Sequence, residues 1–173
     1  GGVGQILCQW GKHLGATVIA TVGSPAKAEI ARACGADHVF GYEDFVAKVA
    51  EVTGGAKCAV VYDGVGKATF PASLDALRPF GVFASFGSAS GPVEAFSLAI
   101  LGQKGSLFAT RPTLFTFLAD RARLDAMAKD LFEVVASGVV KVDISERAPL
   151  AEAARVHRDL EGRRTTGSIV LVP

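Results

Sequence analysis

Apolar residues at Val3, Ile6, Leu7, Trp10 and Leu14 recur at the spacing of one helical face, directly behind the glycines Gly1, Gly2 and Gly4. This pattern predicts a loop that feeds a helix. The next segment, Ala16 to Val22, is a short β-branched run closed by Gly23, and it reads as a buried strand. Ser24-Pro25 then offers a cap and a first-turn proline for a helix through about Cys34, stopped by Gly35. Asp37 to Phe40 reads as a strand, and Glu43 to Thr53 as a helix with Phe45, Val46, Val49 and Val52 inward. A continuous apolar strand, Cys58 to Tyr62, leads into the turn Asp63-Gly64-Val65-Gly66. A helix from about Ala68 to Leu77 and a strand from Gly81 to Phe86 follow.

Strands that are apolar throughout, separated by helices of about ten residues, belong to parallel sheets covered on both faces. The fold class expected is α/β, a Rossmann-like doubly wound parallel sheet. Ligands of such sheets bind outside the carboxyl ends of the strands, which directs attention to the loops at Gly23, Gly41, Asp63 and Gly87. A short helix near Ala95 to Gly102 and a strand Ser106 to Thr110 extend the wind until Arg111-Pro112. Beyond it come a long helix from about Asp120 to Ser137, a strand near Val142 to Ile144, a helix from about Leu150 to Glu161 and a last strand Ser168 to Val172. Two domains are therefore expected: residues 1–111 as the nucleotide-binding domain and 112–173 as a C-terminal segment of different organisation.

The glycine cluster is where chemistry enters. A diphosphate can rest on the free N–H groups of a helix N-terminus when no Cβ blocks its approach, so Gly1 to Gly4 read as a dinucleotide-binding turn, or else as a tight turn before a core helix. The loop after the next strand is where such folds discriminate the adenosine ribose. It holds Ser24 and Lys27 and no acid before Glu29. A hydroxyl donor and a cation suit a 2′-phosphate, which a carboxylate would repel, so charge favours NADP(H). The other role open to these residues is a helix cap and a solvated lysine.

Composition narrows the class without changing the fold. Half of the 173 residues are hydrophobic, which gives one well-buried domain-sized core, and 18 basic against 17 acidic residues leave a net charge of +1 with no block of either sign. No nucleic-acid partner and no membrane footprint are expected; the partner is a small molecule. Cys8, Cys34 and Cys58 are far apart in apolar surroundings and read as reduced core residues of a cytoplasmic protein, and no histidine stands at metal-ligand spacing from another or from a cysteine. No metal site is expected. No Gly-x-Ser-x-Gly nucleophile turn occurs, and Asp63 at a strand end suits a turn better than a catalytic base. No catalytic side chain is assigned.

The order of motifs Gly-Gly-Val-Gly-x4-Gln-x2-Lys (ending at Gln9 and Lys12), Tyr62-Asp63-Gly64-Val65-Gly66, Leu77-Arg78-Pro79, Phe86 to Gly91, Thr110-Arg111-Pro112 and Thr165 to Ser168 resembles quinone oxidoreductases of the zeta-crystallin type, in the medium-chain dehydrogenase/reductase superfamily. The resemblance covers essentially the whole chain. It implies NADPH-dependent, zinc-independent hydride transfer to a quinone, often by a homodimer, for which the strand Ser106 to Thr110 offers an edge. Gly2 and Val3 would contact the diphosphate, and Ser24, Lys27 and Tyr42 the 2′-phosphate. Gly64 would lie near the adenosine, Phe86 and Ser88 near the nicotinamide half, and Arg163 would reach the cofactor from the C-terminal segment. Gly41 and Gly64 depart from the family pattern, which has a polar residue before the tyrosine and commonly a serine at the second position. The resemblance also implies a longer enzyme, with a preceding GroES-like barrel domain and first Rossmann strand that this chain does not contain; the chain alone is expected to be inactive. The same superfamily includes enone and alkenal double-bond reductases and non-catalytic NADPH-binding crystallins.

Overall fold

The computed structural model describes residues 1–162 and 164–173. In chain order the elements are α1 (Gly2–His13), β1 (Ile19–Thr21), α2 (Pro25–Ala33), β2 (His38–Phe40), α3 (Phe45–Val52), β3 (Cys58–Asp63), α4 (Ala72–Asp75) and β4 (Leu77–Ser85), then α5 (Ala99–Gln103), β5 (Phe108–Thr110), α6 (Leu114–Leu118), α7 (Arg121–Ala136), β6 (Ile144–Pro149), a 3-10 turn (Leu150–Glu152), α8 (Ala153–Glu161) and β7 (Ser168–Val172). The chain is α/β, as its pattern predicts. Two compact units form: Gly1–Val39 with Met127–Pro173, and Phe40–Ala126.

In the first unit β1 pairs with β2, and β6 runs parallel to β7 from Ile144 opposite Ser168 to Pro149 opposite Val172. Cys8, Ala31 and Ala36 form a small core with Val18, Ala20, Val22, Cys34 and Val39 packed on it. The helix α1 begins at Gly2, so Gly2 and Gly4 lie in its first turn rather than in a loop before it, and its buried residues are Gln5 and Cys8. Of the predicted stripe, Ile6 and Trp10 are half-buried, while Val3 and Leu14 are 59% and 74% exposed. The face that meets α2 and β1 is the one with small and sulfur-bearing side chains, because these allow the close approach that a Leu or Trp row would prevent.

Polar clasps complete this unit. Gln9 forms a two-way amide clasp with Lys141, donating from Nε2 to the Lys141 carbonyl at 3.0 Å and accepting its N–H at 2.8 Å. Lys12 pairs with Asp37, whose other oxygen accepts the Val18 N–H at 2.9 Å. Arg155 holds α8 against β6 by reaching Glu146 at 2.5 Å, Glu152 at 2.8 Å and Asp159 at 3.1 Å, and Asp159 is shared with Arg164 at 2.7 Å. These carboxylates raise the Arg155 pKa, Glu146 most strongly.

The second unit is built on the parallel sheet β3-β4-β5, with Val61 opposite Phe83 and Phe83 opposite Ala109. One face packs Leu74, Leu77, Phe83 and Leu107 together with Val61, Phe70, Ile100 and Leu101. The other face leaves Val60, Tyr62 and Phe108 at 40%, 62% and 61% exposure.

Several limits also move. The first strand contracts from residues 16–22 to three residues, the helix expected over 68–77 shrinks to α4, and β4 begins at Leu77. The cause in the last case is local, since the Thr69 and Phe70 N–H groups both turn back to the Gly66 carbonyl and hold residues 66–70 as turns. The strand expected near 142–144 instead starts at Ile144, and α6 had no sequence signal that separated it from a loop.

The Lys12 hydrogen bond and then the Val18 N–H hold the Asp37 carboxyl below its ordinary value. A depressed carboxyl stabilises the fold above its unfolded pKa and loses that contribution as pH falls through the folded one. Asp37→Asn is accordingly expected to lower the melting temperature at pH 7, with the difference from wild type closing below about pH 4; melting curves across this range measure it.

Candidate functional site

In the first unit two helix N-termini bear the predicted residues. The first turn of α1 has no side-chain cap and no acid. A Cβ on Gly1 or Gly4 would meet nothing within 4 Å, whereas one on Gly2 would stand 2.9 Å from Ser168 Oγ. Gly2 is thus fixed by packing, and Val3 beside it is exposed. Backbone donors without a capping side chain, on a helix of 12 residues, fit a diphosphate.

Ser24 caps α2, its Oγ accepting the Lys27 N–H at 3.4 Å. The first turn of α2 contains no acid, and the nearest carboxylate in sequence, Glu29, is engaged by Arg32 at 2.5 Å. The cap and the ligand roles of Ser24 are compatible, because a hydroxyl that accepts one bond still has a proton to donate. This end of the first unit fits an anion.

In the second unit the loops after β3 and β4 are laced together. Asp63 is 4% exposed and accepts four hydrogen bonds: Val65 N–H at 2.8 Å and Gly66 N–H at 2.9 Å on one oxygen, and the Thr69 and Ser73 hydroxyls at 2.7 Å on the other. Its own carbonyl takes the Phe86 and Gly87 N–H groups, the Gly64 carbonyl takes that of Ala89, and Ser90 bonds the Val65 carbonyl through both its N–H and its hydroxyl. Both carboxyl oxygens are occupied by neutral donors, so Asp63 is a turn-former with no access to substrate.

The lacing leaves no space for a side chain at Gly66 or Gly87; a Cβ on Gly87 would lie 2.6 Å from the Gly64 carbonyl oxygen. Gly66 has φ +86°, and a Cβ there would lie 2.4 Å from the Gly91 carbonyl oxygen. A Cβ on Gly64 would lie 2.9 Å from Cζ of Phe86, so the ring of Phe86 occupies the space that a serine would need. Gly64, Phe86 and Ser88 are brought together; Phe86 is 37% exposed and Ser88 is exposed. Tyr42, 39% exposed, precedes α3. Arg163 lies outside the described residues.

Sequence reasoning passed over Arg111, whose guanidinium donates to the Ser85 carbonyl at 2.7 Å where β4 ends. The Thr-Arg-Pro motif was the available signal. A cavity of about 540 Å³ at the ends of β6 and β7, lined by Arg147 to Ala151 with Val172 and Pro173, contains none of the predicted cofactor residues. Among the described residues no three His, Cys, Asp or Glu side chains are placed to hold a metal ion, and no helix is long and apolar enough to cross a membrane. Cys8, Cys34 and Cys58 are unpaired thiols, each with its pKa raised foremost by burial.

A parallel α/β sheet, an uncapped glycine-led helix and a cationic turn after the next strand define a dinucleotide-binding fold. The family model for zinc-binding dehydrogenases matches residues 2–131, and the chain belongs to that family, within the medium-chain dehydrogenase/reductase superfamily. It is 51% identical over 175 residues to a quinone oxidoreductase of Pseudomonas aeruginosa, covering 100% of this chain and 54% of that protein. It is 46% identical to a 2-haloacrylate reductase of a Burkholderia species, covering 53% of that protein. The crystal structure of Escherichia coli quinone oxidoreductase complexed with NADPH superposes with a TM-score of 0.95 at 48% identity, over 100% of this chain and 54% of that one. The chain spans about half the length of the curated relatives it matches.

Asp63→Ala would strand two backbone N–H groups and two hydroxyls in a buried turn. A loss of about 3 kcal/mol or more is expected in urea unfolding, since each unsatisfied group costs about 1–3 kcal/mol. Asp63→Asn is expected to lose less, because its Oδ1 still accepts both N–H groups and the hydroxyls can rotate to accept from Nδ2.

Proposed function

We propose that this chain is the nucleotide-binding part of an NADPH-dependent reductase that delivers hydride to a quinone without zinc. The observation that carries the reading is the first turn of α2: a hydroxyl cap, a lysine and no free carboxylate where an NAD site would place an acid. Identity of about half to quinone oxidoreductases supports it, as does the NADPH complex of the Escherichia coli relative. NADPH supplies the hydride when bound. The chain's residues bind and orient it: Gly2 and Val3 at the diphosphate, Ser24, Lys27 and Tyr42 at the 2′-phosphate, Gly64 at the adenosine, Phe86 and Ser88 at the nicotinamide half, and Arg163 from the C-terminal segment. Residues 1–111 serve as the nucleotide-binding domain and 112–173 return toward the catalytic domain. The free cysteines suit a cytoplasmic location.

Hydride transfer to a conjugated acceptor depends on orientation and exclusion of water more than on a strong acid or base. The occupied carboxylate of Asp63 is compatible with that chemistry, since it fixes loops and moves no proton. A second acceptor class has a specific observation in its favour: the 46% identical Burkholderia relative is a reductase of 2-haloacrylates. Both acceptor classes present an electron-poor C=C bond conjugated to oxygen.

Lys27→Glu in the full-length protein is expected to weaken NADPH use by about tenfold or more in kcat/KM and to turn the preference toward NADH, as loss of a charge-assisted bond and gain of a repulsion require. Steady-state kinetics with a small quinone measures this, and an unchanged cofactor preference overturns the assignment of Lys27.

The homodimer is proposed at β5, an edge strand whose three residues are exposed. Phe108→Asp is expected to convert the full-length protein from dimer to monomer in sedimentation velocity, because a charge on an edge blocks strand pairing; a wild-type monomer removes the proposal.

A further inference from the structure

The three strands of the second unit end level with one another. Asp63 of β3 stands opposite Ser85 of β4, and Ala84 stands opposite Thr110 of β5, so the next residue, Arg111, continues the rung of Asp63 and Ser85. This rim is the carboxyl edge, where open α/β sheets bind ligands. Its charges are handled unequally. The Asp63 carboxyl is buried and consumed by four neutral donors. Arg111 is exposed, gives one N–H to the Ser85 carbonyl, and enters no ion pair among the described residues. Pro112 follows it and disfavours helical backbone at Arg111, so the residue is held extended at the rim. The result is a fixed cation whose remaining guanidinium donors are open, one residue beyond the sheet and anchored to the residue that precedes Phe86.

We propose that Arg111 binds the oxygen of the electron acceptor and sets the preference for acceptors that bear a carboxylate. The inference rests on the reductase reading above. In the reaction the acceptor takes a hydride from C4 of NADPH at a carbon conjugated to its carbonyl or carboxylate. A C–H bond of the nicotinamide breaks with its electron pair and a C–H bond forms on the acceptor. The π electrons move toward the oxygen, water supplies the proton, the acceptor is reduced by two electrons and NADPH is oxidised to NADP⁺. Charge that grows on that oxygen strengthens its hydrogen bonds to a guanidinium already oriented by Ser85, which is the condition for favouring the transition state over the ground state. A planar fork with two parallel donors also matches a carboxylate better than a single quinone oxygen.

The test uses the full-length protein, its Arg111→Gln and Arg111→Lys variants, 2-chloroacrylate and a neutral quinone as acceptors, and 2-chloropropanoate as an unreactive carboxylate probe in titration calorimetry of the NADPH-loaded protein. The expected result for Arg111→Gln is a loss of about 10- to 100-fold in probe affinity and in kcat/KM for 2-chloroacrylate, a smaller loss with the quinone, and unchanged NADPH affinity. Arg111→Lys, which keeps the charge and loses the fork, is expected to fall between and supplies the answer if Arg111→Gln does not fold. Unchanged probe binding in the variants overturns the proposal. So does a parallel fall in melting temperature, NADPH affinity and acceptor affinity, which would make Arg111 only a tie between β5 and β4. A wild-type protein that binds the probe through Arg111 yet reduces neither acceptor would sink the reductase reading and leave the carboxylate site standing.

Discussion

The loops that bear Gly64, Phe86 and Ser88 have no secondary structure of their own, and the buried carboxyl of Asp63 is what gives them a shape. Four donors converge on it, and its backbone carbonyl takes two more from the following strand's loop. An acceptor-only group in the interior is tolerable only when it is saturated, and saturation here requires the turn to close at Val65 and Gly66 and residues 69 and 73 to come within reach. The left-handed Gly66 and the ring of Phe86 over Gly64 follow from the same close approach of the two loops.

This dependence explains what a sequence reader could and could not see. The alternation of strands and helices was legible because it is a property of local periodicity, and the parallel sheet β3-β4-β5 follows from it with strands nearly where they were expected. The face on which α1 packs was not legible. Apolar content pointed to Val3, Ile6 and Leu7, whereas contact distance selected Cys8 and Gln5. In the same way Asp63 could be read as a turn residue, but that Thr69 and Ser73 would supply its other oxygen with donors is a tertiary fact with no spacing rule behind it. Strand ends suffered most, since three-residue strands such as β1 and β2 are decided by pairing partners rather than by propensity.

The motif residues divide into two kinds once the contacts are known. Gln9 and Lys12 complete the glycine-led signature in the sequence, yet both are spent inside the fold, on the backbone of Lys141 and on Asp37. Ser24 serves the fold as a cap while keeping a donor. Residues of a family signature can thus serve the packing of the glycine-led helix. For Arg111 the opposite holds: it stands in a motif, uses one donor on Ser85, and has capacity beyond what the sheet requires.

A net charge of +1 conceals how the charges are used. Three carboxylates are engaged internally: Glu29 by Arg32, Asp37 by Lys12 and the Val18 N–H, and Asp63 by its four donors. Arg111 gives one N–H to the Ser85 carbonyl and enters no ion pair among the described residues. Preorganised charge of this sort is effective because orienting it needs no reorganisation when a ligand arrives. The Asp63 carboxyl is turned inward and saturated, whereas Arg111 keeps donors beyond the one it gives to Ser85. The hydrogen bonds of the second unit dispose of Asp63 and Arg111 in that way.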